Sequence, residues 1–287
     1  MAKKQAEEAT TQVIEEQQST EVVKKEEGGG EVQSYGAYGE YAGAGFEDTT
    51  SEDYSIPFLT VLQALSPQVQ GEAALEGAKP GMLFNTVTEE LFEGKTGLEF
   101  VPAHRERVYV EWVPRDQGGG FVGRHEQTSE IVMKAKQRAS DPTSLKTEAG
   151  NDLIDTAYVY GIICHEDGRL ESVVLAFTST KLKVYRHLMT KLRQFTIQVN
   201  GKKVNPPLFA YRLRVTTTTE KNKKGSFYNF KISAAEGSLA DSLLSTEDER
   251  FQAAVSLRNM ILSGTAQANY ESQGAEGGGA GGDDVPF

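Results

Sequence analysis

The chain has 287 residues, one cysteine (Cys164) and a formal net charge of −11, which leaves room for one or two domains. A lone cysteine excludes an intrachain disulfide and fits a reducing compartment. No stretch approaches the ~20 apolar residues of a membrane span, and MAKKQAEEATT at the start lacks the apolar segment of a secretory signal, so a cytoplasmic protein with no membrane partner is expected.

The charge is unevenly placed. Residues 1–53 carry 13 acids against 4 Lys/Arg, net −9, and residues 266–287 carry 4 acids and no base. The middle, 54–265, is then close to neutral and long enough for one sizeable core. Three parts are expected: a disordered acidic tail over 1–53, a folded domain over 54–265, and a disordered acidic tail over 266–287. Within the first tail, SYGAYGEYAGAG at 34–45 reads as a flexible linker or a weak stacking segment.

From Tyr54 the apolar positions Ile56, Phe58, Leu59, Val61, Leu62 and Leu65 predict a short buried helix, with Pro57 in its first turn. Pro67, Gly71, Gly77, Pro80 and Gly81 punctuate a loop. Strands are predicted over 82–88, 98–104 and 107–113, followed by a glycine-rich connection, PRDQGGGFVGR, at 114–124. A helix is placed near 129–138. Residues 154–165 alternate as a strand, Glu166-Asp167-Gly168-Arg169 is a turn, and 170–177 is the returning strand.

A helix is predicted over 180–195, capped by Thr178 or Ser179, with Leu182, Tyr185, Leu188, Met189, Leu192 and Phe195 as its apolar stripe. A hairpin is predicted from 208–217 and 225–233. A last helix over 246–263 carries Phe251, Ala254, Val255 and Leu262 as its stripe, widened by Leu257, Met260 and Ile261. Thr246 and Glu249 form its capping box, and Gly264 is its stop. These elements give a mainly β fold with helices, of the α+β class.

One stretch breaks the charge pattern. Lys181 to Lys231 holds thirteen Lys/Arg and a single acid, Glu220, a net +12, with Tyr185, Phe195, Phe209, Tyr211, Phe227, Tyr228 and Phe230 among them. Core packing of strand rings and solvation of surface lysines account for part of this. Cations that track phosphates beside rings that stack on bases are also what a single-stranded nucleic acid groove requires.

Other motifs are weaker. Gly118, Gly120 and Gly123 match the spacing of a dinucleotide fingerprint, but no βαβ unit surrounds them. A glycine-rich hairpin with Phe121 at its tip is the better reading; it closes over a strand or is simply a turn. Gly94-Lys95-Thr96 lacks the earlier glycine of a phosphate loop, since Glu89 stands there. His104, His125, His165, His187 and Cys164 show no metal-ligand spacing, and no Ser/His/Asp set has a nucleophile context. No metal, no cofactor and no enzymatic activity are expected.

The end of the chain, Asp283-Asp284-Val285-Pro286-Phe287, offers two carboxylates, a ring and the α-carboxylate to a basic apolar pocket on another protein. The alternatives are a tip that folds back on its own basic groove and a plain solubilising tail. This tip resembles the Asp/Pro/Phe tails of bacterial single-stranded DNA-binding proteins and the acidic, Phe-ended tails of their bacteriophage counterparts. The run from Glu111 to Phe121 is similar to segments of phage replication and recombination proteins. The chain departs from the bacterial family in its length, its acidic first 53 residues and its missing N-terminal core motifs, so the phage type fits better.

The resemblance implies an OB-fold, a five-stranded Greek-key β-barrel with peripheral helices, and the predicted strand order agrees with it. It implies single-stranded DNA binding and protection in phage DNA replication, recombination and repair, in the host cytoplasm. Polymerase, helicase, primase or nuclease partners would be recruited by Asp283, Asp284, Pro286 and Phe287, and a homo-oligomer is allowed. The candidate phosphate contacts are Arg105, Arg107, Arg124, Lys181, Lys183, Arg186, Arg212, Arg214, Lys221, Lys223 and Lys224. The candidate stacking rings are Tyr109, Trp112, Phe121, Tyr211, Phe227 and Tyr228. The rival readings are a recombination mediator or annealing protein, a nucleotide-processing enzyme using the Gly118–Gly123 loop, and a virion structural protein.

Overall fold

The computed structural model describes residues 41, 44, 45, 55–222 and 225–270. The chain divides into two units, Met1–Glu47 and Asp48–Phe287. In the first, the Ala44 N–H donates to the Tyr41 carbonyl in a single turn. Everything below concerns the second.

Its elements are β1 (Ser55–Ile56), β2 (Leu59–Val61), β3 (Leu83–Asn85), β4 (Leu91–Phe92), β5 (Leu98–Trp112), β6 (Phe121–Glu126), α1 (Glu130–Arg138), β7 (Leu145–Lys146), β8 (Asp152–Cys164), β9 (Leu170–Thr178), α2 (Leu182–Gln194), β10 (Ile197–Val199), β11 (Lys202–Val204), β12 (Leu213–Asn222), β13 (Gly225–Ala234), α3 (Glu249–Ser263) and β14 (Gln267–Ala268). The α+β class is as expected: mainly strands with a few helices. The main sheet has seven strands and an open path, β13-β12-β5-β8-β7, with β6 also on β5 and β9 also on β8.

β5 and β8 organise the body. They pair antiparallel from Glu99↔Cys164 to Trp112↔Asp152, and the register shifts between Pro102 and His104. Proline has no N–H to give the ladder, so an irregularity falls there. The result is one bent strand where two were predicted. Its other edge is divided: Leu98–Phe100 pairs with β12, and Val108–Trp112 with β6. Opposite Pro102 stands Gly161, where any Cβ would collide with the Phe100 ring. That close approach requires glycine.

Both faces of β8 are covered. Tyr158, Tyr160 and Ile162 share a core with Phe251, Ala254 and Leu257 of α3. Ala157, Val159 and Ile163 share another with Leu182 and Tyr185 of α2, together with Phe100, Phe177 and Phe230. The alternation of β8 therefore sorts residues between two cores, not between core and water.

Several expectations need correction. The predicted helix over 56–65 is β1, β2 and a turn. Pro57 separates the two strands, and its carbonyl accepts from Val174 N while Phe58 bridges Val174. A short apolar run does not by itself tell helix from strand. The start of α2 carries no side-chain cap from Thr178; a 3₁₀ turn, Ser179–Lys181, leads into it. α3 is capped by Asp248, which accepts from Arg250 N, and not by Thr246 with Glu249; Gly264 ends it in the left-handed region as expected. Leu262 and Met260, assigned to its apolar face, are exposed, whereas Phe251, Ala254 and Leu257 of that face are buried.

The body also extends beyond residue 265. Ala266, Ala268 and Tyr270 are buried, and β14 pairs in parallel with β1, Ser55↔Gln267 and Ile56↔Ala268. The expectations for the remaining tail residues lie outside the described ones. Among the described residues, no helix is long and apolar enough to cross a membrane.

Candidate nucleic-acid interface

α2 is amphipathic in the strict sense. Leu182, Tyr185, Leu188 and Leu192 are buried, whereas Lys183, Arg186, His187, Lys191 and Arg193 are exposed. The helix contains no Asp or Glu, so its cations have no i,i+4 carboxylate of their own. Lys191 and Arg193 also complement the negative end of the helix dipole.

Each end of α2 is tied to a β-hairpin that adds cations. At its start, the Lys183 ammonium pairs with the Glu220 carboxylate on β12, and Lys181 Nζ lies 5.3 Å from the centre of the Phe230 ring on β13. Lys221, the next residue on β12, is exposed. At the other end, the Asn205 amide donates to the carbonyls of Arg193 (2.7 Å) and Phe195 (2.6 Å). That clamp holds the β10–β11 hairpin, with exposed Lys202 and Lys203, against the helix terminus. Thirteen helical residues rise ~20 Å at 1.5 Å each. Among the described residues, Arg186, Lys191, Arg193, Lys202, Lys203 and Lys221 pair with no carboxylate. The arrangement is a ridge of positive charge, suited to a row of phosphates.

The residues predicted for the site divide sharply against this ridge. Lys181, Lys183, Arg186 and Lys221 belong to it. Arg105 is exposed on β5 and donates to the Tyr185 hydroxyl at 3.2 Å, beneath α2. Lys223 and Lys224 lie outside the described residues, as do Asp283, Asp284, Pro286 and Phe287.

Three arginines are instead committed to carboxylates. Arg107 forks onto both oxygens of Asp155 at 2.9 and 2.5 Å. Arg124 donates to Glu106 (2.6 Å) and to the Tyr270 hydroxyl (2.6 Å). Arg212 pairs with Glu99 (3.4 Å) and with Glu236. Arg214 lines a different groove, of about 880 Å³, whose walls carry six carboxylates and three arginines. An acid-rich groove does not attract phosphate.

The stacking rings fare worse. Tyr109 packs on Val132 and Ala135 of α1, Trp112 and Tyr211 lie in the core, and Phe227 is buried. Phe121 is held between the edge of Trp112 and the face of Tyr270, its ring centres 5.7 and 5.5 Å away. Tyr228 packs over Gly81, and its backbone is bonded both ways to the Gln63 amide. Tyr109, Trp112, Tyr211 and Phe227 present no free face to a base, which corrects their assignment. Strand alternation exposes a ring only where the second face of the sheet is bare, and here it is covered.

Sequence reasoning passed over two features. Lys202 and Lys203 follow Asn200-Gly201, a dipeptide that favours two-residue hairpin turns, and both turn residues have positive φ (50° and 78°). That signal was legible. The second is a buried polar knot. Tyr160 donates to Glu106 at 2.8 Å, and its hydroxyl lies 2.8 Å from that of Tyr270, which Arg124 also reaches. Burial drives both phenols upward, Tyr270 to about 12. Its members come from β5, β6, β8 and the segment after β14, so no spacing announces it.

Residues 24–267 match the family described as Pam3 phage gp34-like protein. The chain belongs to this phage family. No curated protein and no solved structure matches it. The gp34-like match takes in α2 and both flanking hairpins, so the basic ridge lies inside the family region.

Proposed function

We propose that this gp34-like protein binds single-stranded DNA without sequence preference and without catalysis, protecting it during phage replication, recombination and repair. The observation that supports the reading is the ridge along α2: exposed cations with no acid on the helix, prolonged by a basic hairpin at each end. Lys181, Lys183, Arg186, Lys191, Arg193, Lys202, Lys203 and Lys221 would contact phosphates, with Arg105 beside them. Asp283, Asp284, Pro286 and Phe287 would recruit replication or recombination proteins, as their resemblance to phage tails implies. The finer fold reading, an oligonucleotide-binding barrel, draws support from β5, which is bent and shared between β12 and β6.

The burial of four of the six candidate rings favours a second reading, in which the ridge follows phosphates of a duplex and needs no stacking. Fluorescence anisotropy of the full chain with labelled oligothymidylate and with a duplex of equal length, at two salt concentrations, separates the two. Tighter binding to the single strand supports the proposal. Preference for duplex supports the second reading, and binding to neither removes both.

A further inference from the structure

A second cluster of charged groups lies in the acid-rich groove. The β8–β9 hairpin and the start of β4 bring it together. Glu90 precedes β4, His165 follows β8 at the β8–β9 turn, and Glu171 is the second residue of β9. One donor atom from each lies within 4.8 Å of the other two. The imidazole and the Glu171 carboxylate are largely shielded, at 8 % and 13 % side-chain exposure, and Glu90 closes the outer side at 33 %.

The hydrogen bonds fix the donors. His165 Nε2 lies 2.9 Å from Glu171 Oε2, and the Asn85 amide donates to Glu171 Oε1 at 2.7 Å. With Nε2–H turned to Glu171, the lone pair of Nδ1 faces outward. There it meets the Nη2 of Arg169 at 3.1 Å. The same Nη2 lies 3.2 and 3.0 Å from the two Glu90 oxygens, and Nη1 is 3.7 Å from Glu171 Oε2. The imidazole Nδ1 and both Glu90 oxygens thus converge on the point that Arg169 Nη2 occupies, with the Glu171 carboxylate behind the ring. Arg169 sits on a tight turn and is half exposed, so it can leave without disturbing the strands.

We propose that Glu90 and His165 Nδ1, with Glu171 behind the imidazole, form a site for a divalent transition-metal ion of the zinc class, with Arg169 as the internal cation that competes for it. An imidazole beside a carboxylate suits zinc better than calcium or magnesium, which prefer oxygen alone. The carboxylate behind the imidazole is the usual outer support of a metal-bound histidine. Zinc–ligand bonds of about 2.0–2.2 Å require the half-open Glu90 side to close inward by roughly 1 Å once Arg169 swings out. The negative balance of the groove walls favours a cation at this point. Sequence spacing indicated no metal site because Glu90 is remote in sequence from the hairpin that carries His165.

Cobalt(II) and zinc titrations of the full chain test the site, read by the visible absorption of low-coordinate cobalt and by zinc competition against it. Arg169→Ala should bind one equivalent at least tenfold more tightly than the wild type. His165→Gln should lose at least tenfold from that affinity when combined with Arg169→Ala. Glu90→Gln, at a partly exposed position, serves the same purpose if the histidine variant does not fold. Equal affinity of Arg169→Ala and wild type overturns the competition, and an unchanged affinity in Arg169→Ala/Glu90→Gln overturns the site.

Discussion

Tyr270 lies face to face with Phe121, ring centres 5.5 Å apart and planes 13° from parallel. The contact joins the last described residue to the glycine-rich β6 hairpin, and it closes the core over Tyr158 and Phe58. A residue expected to lie in a tail therefore holds the body together. Tyr270→Ala should cost about 3–5 kcal/mol, the usual range for a large buried ring. Tyr270→Phe should cost about 1–3 kcal/mol, because Arg124 then loses an acceptor in a shielded place. Urea unfolding of both variants checks this, and a neutral Tyr270→Ala would show that the ring carries no load.

The same knot sets an alkaline limit. Burial raises the Tyr270 phenol to about 12 and pushes Tyr160 higher still, whereas an unfolded tyrosine ionises near 10. Below about 10 both states hold the proton and the stabilisation is fully present. Above that the unfolded chain loses it first, so stability falls as pH rises through the folded value. Phenolate absorbance during alkaline titration should show at least one late-titrating tyrosine. Tyr270→Phe should remove part of that late signal; two variants titrating identically would contradict it.

An acid limit follows from α3. Asp248 accepts from Arg250 Nη2 at 2.7 Å and from Arg250 N at 2.9 Å, and its carboxyl is lowered chiefly by the Arg250 side chain. This contribution is complete above the unfolded value of about 3.9 and disappears as pH falls through the lower folded one. Asp248→Asn keeps an acceptor for the helix end but removes the charge. Its unfolding midpoint should depend less on pH below about 4 than that of the wild type. Parallel pH profiles would refute the assignment.

The ridge makes a quantitative claim. Each phosphate contact on a single strand contributes about 0.7 to the slope of log affinity against log salt. Arg186→Ala, Lys191→Ala and Arg193→Ala combined should lower that slope by about 2 with little loss of stability, since all three side chains are exposed. Arg107→Ala, which breaks the fork onto Asp155, should act the other way round: lower stability and an unchanged slope. A triple variant with the wild-type slope would place the DNA elsewhere.

The sequence displayed α2 well because its apolar residues recur at helical spacing while its other face carries cations and no acid. β8 and β9 were equally plain, being long runs separated by an Asp-Gly turn. Short apolar runs were not: Ile56 to Leu62 looks helical until Phe58 is seen against Val174. Ring exposure was illegible for a different reason. Whether Trp112 or Tyr211 faces water depends on which helix or loop lies over the sheet, and a strand does not record its own covering. Ion pairs such as Arg124–Glu106 and Arg212–Glu99 are likewise fixed by register between strands, so counting charges along the chain overestimates those available to DNA.

The parallel pair of β1 and β14 joins positions roughly two hundred residues apart. During synthesis at ~5–20 residues per second, Ile56 leaves the ribosome on the order of ten to forty seconds before Ala268 can meet it. Until then the edge of β1 is open and Tyr270 is absent from the core. A partly made chain therefore exposes apolar surface for most of its synthesis, and closure of the body comes as one of the last events in its birth.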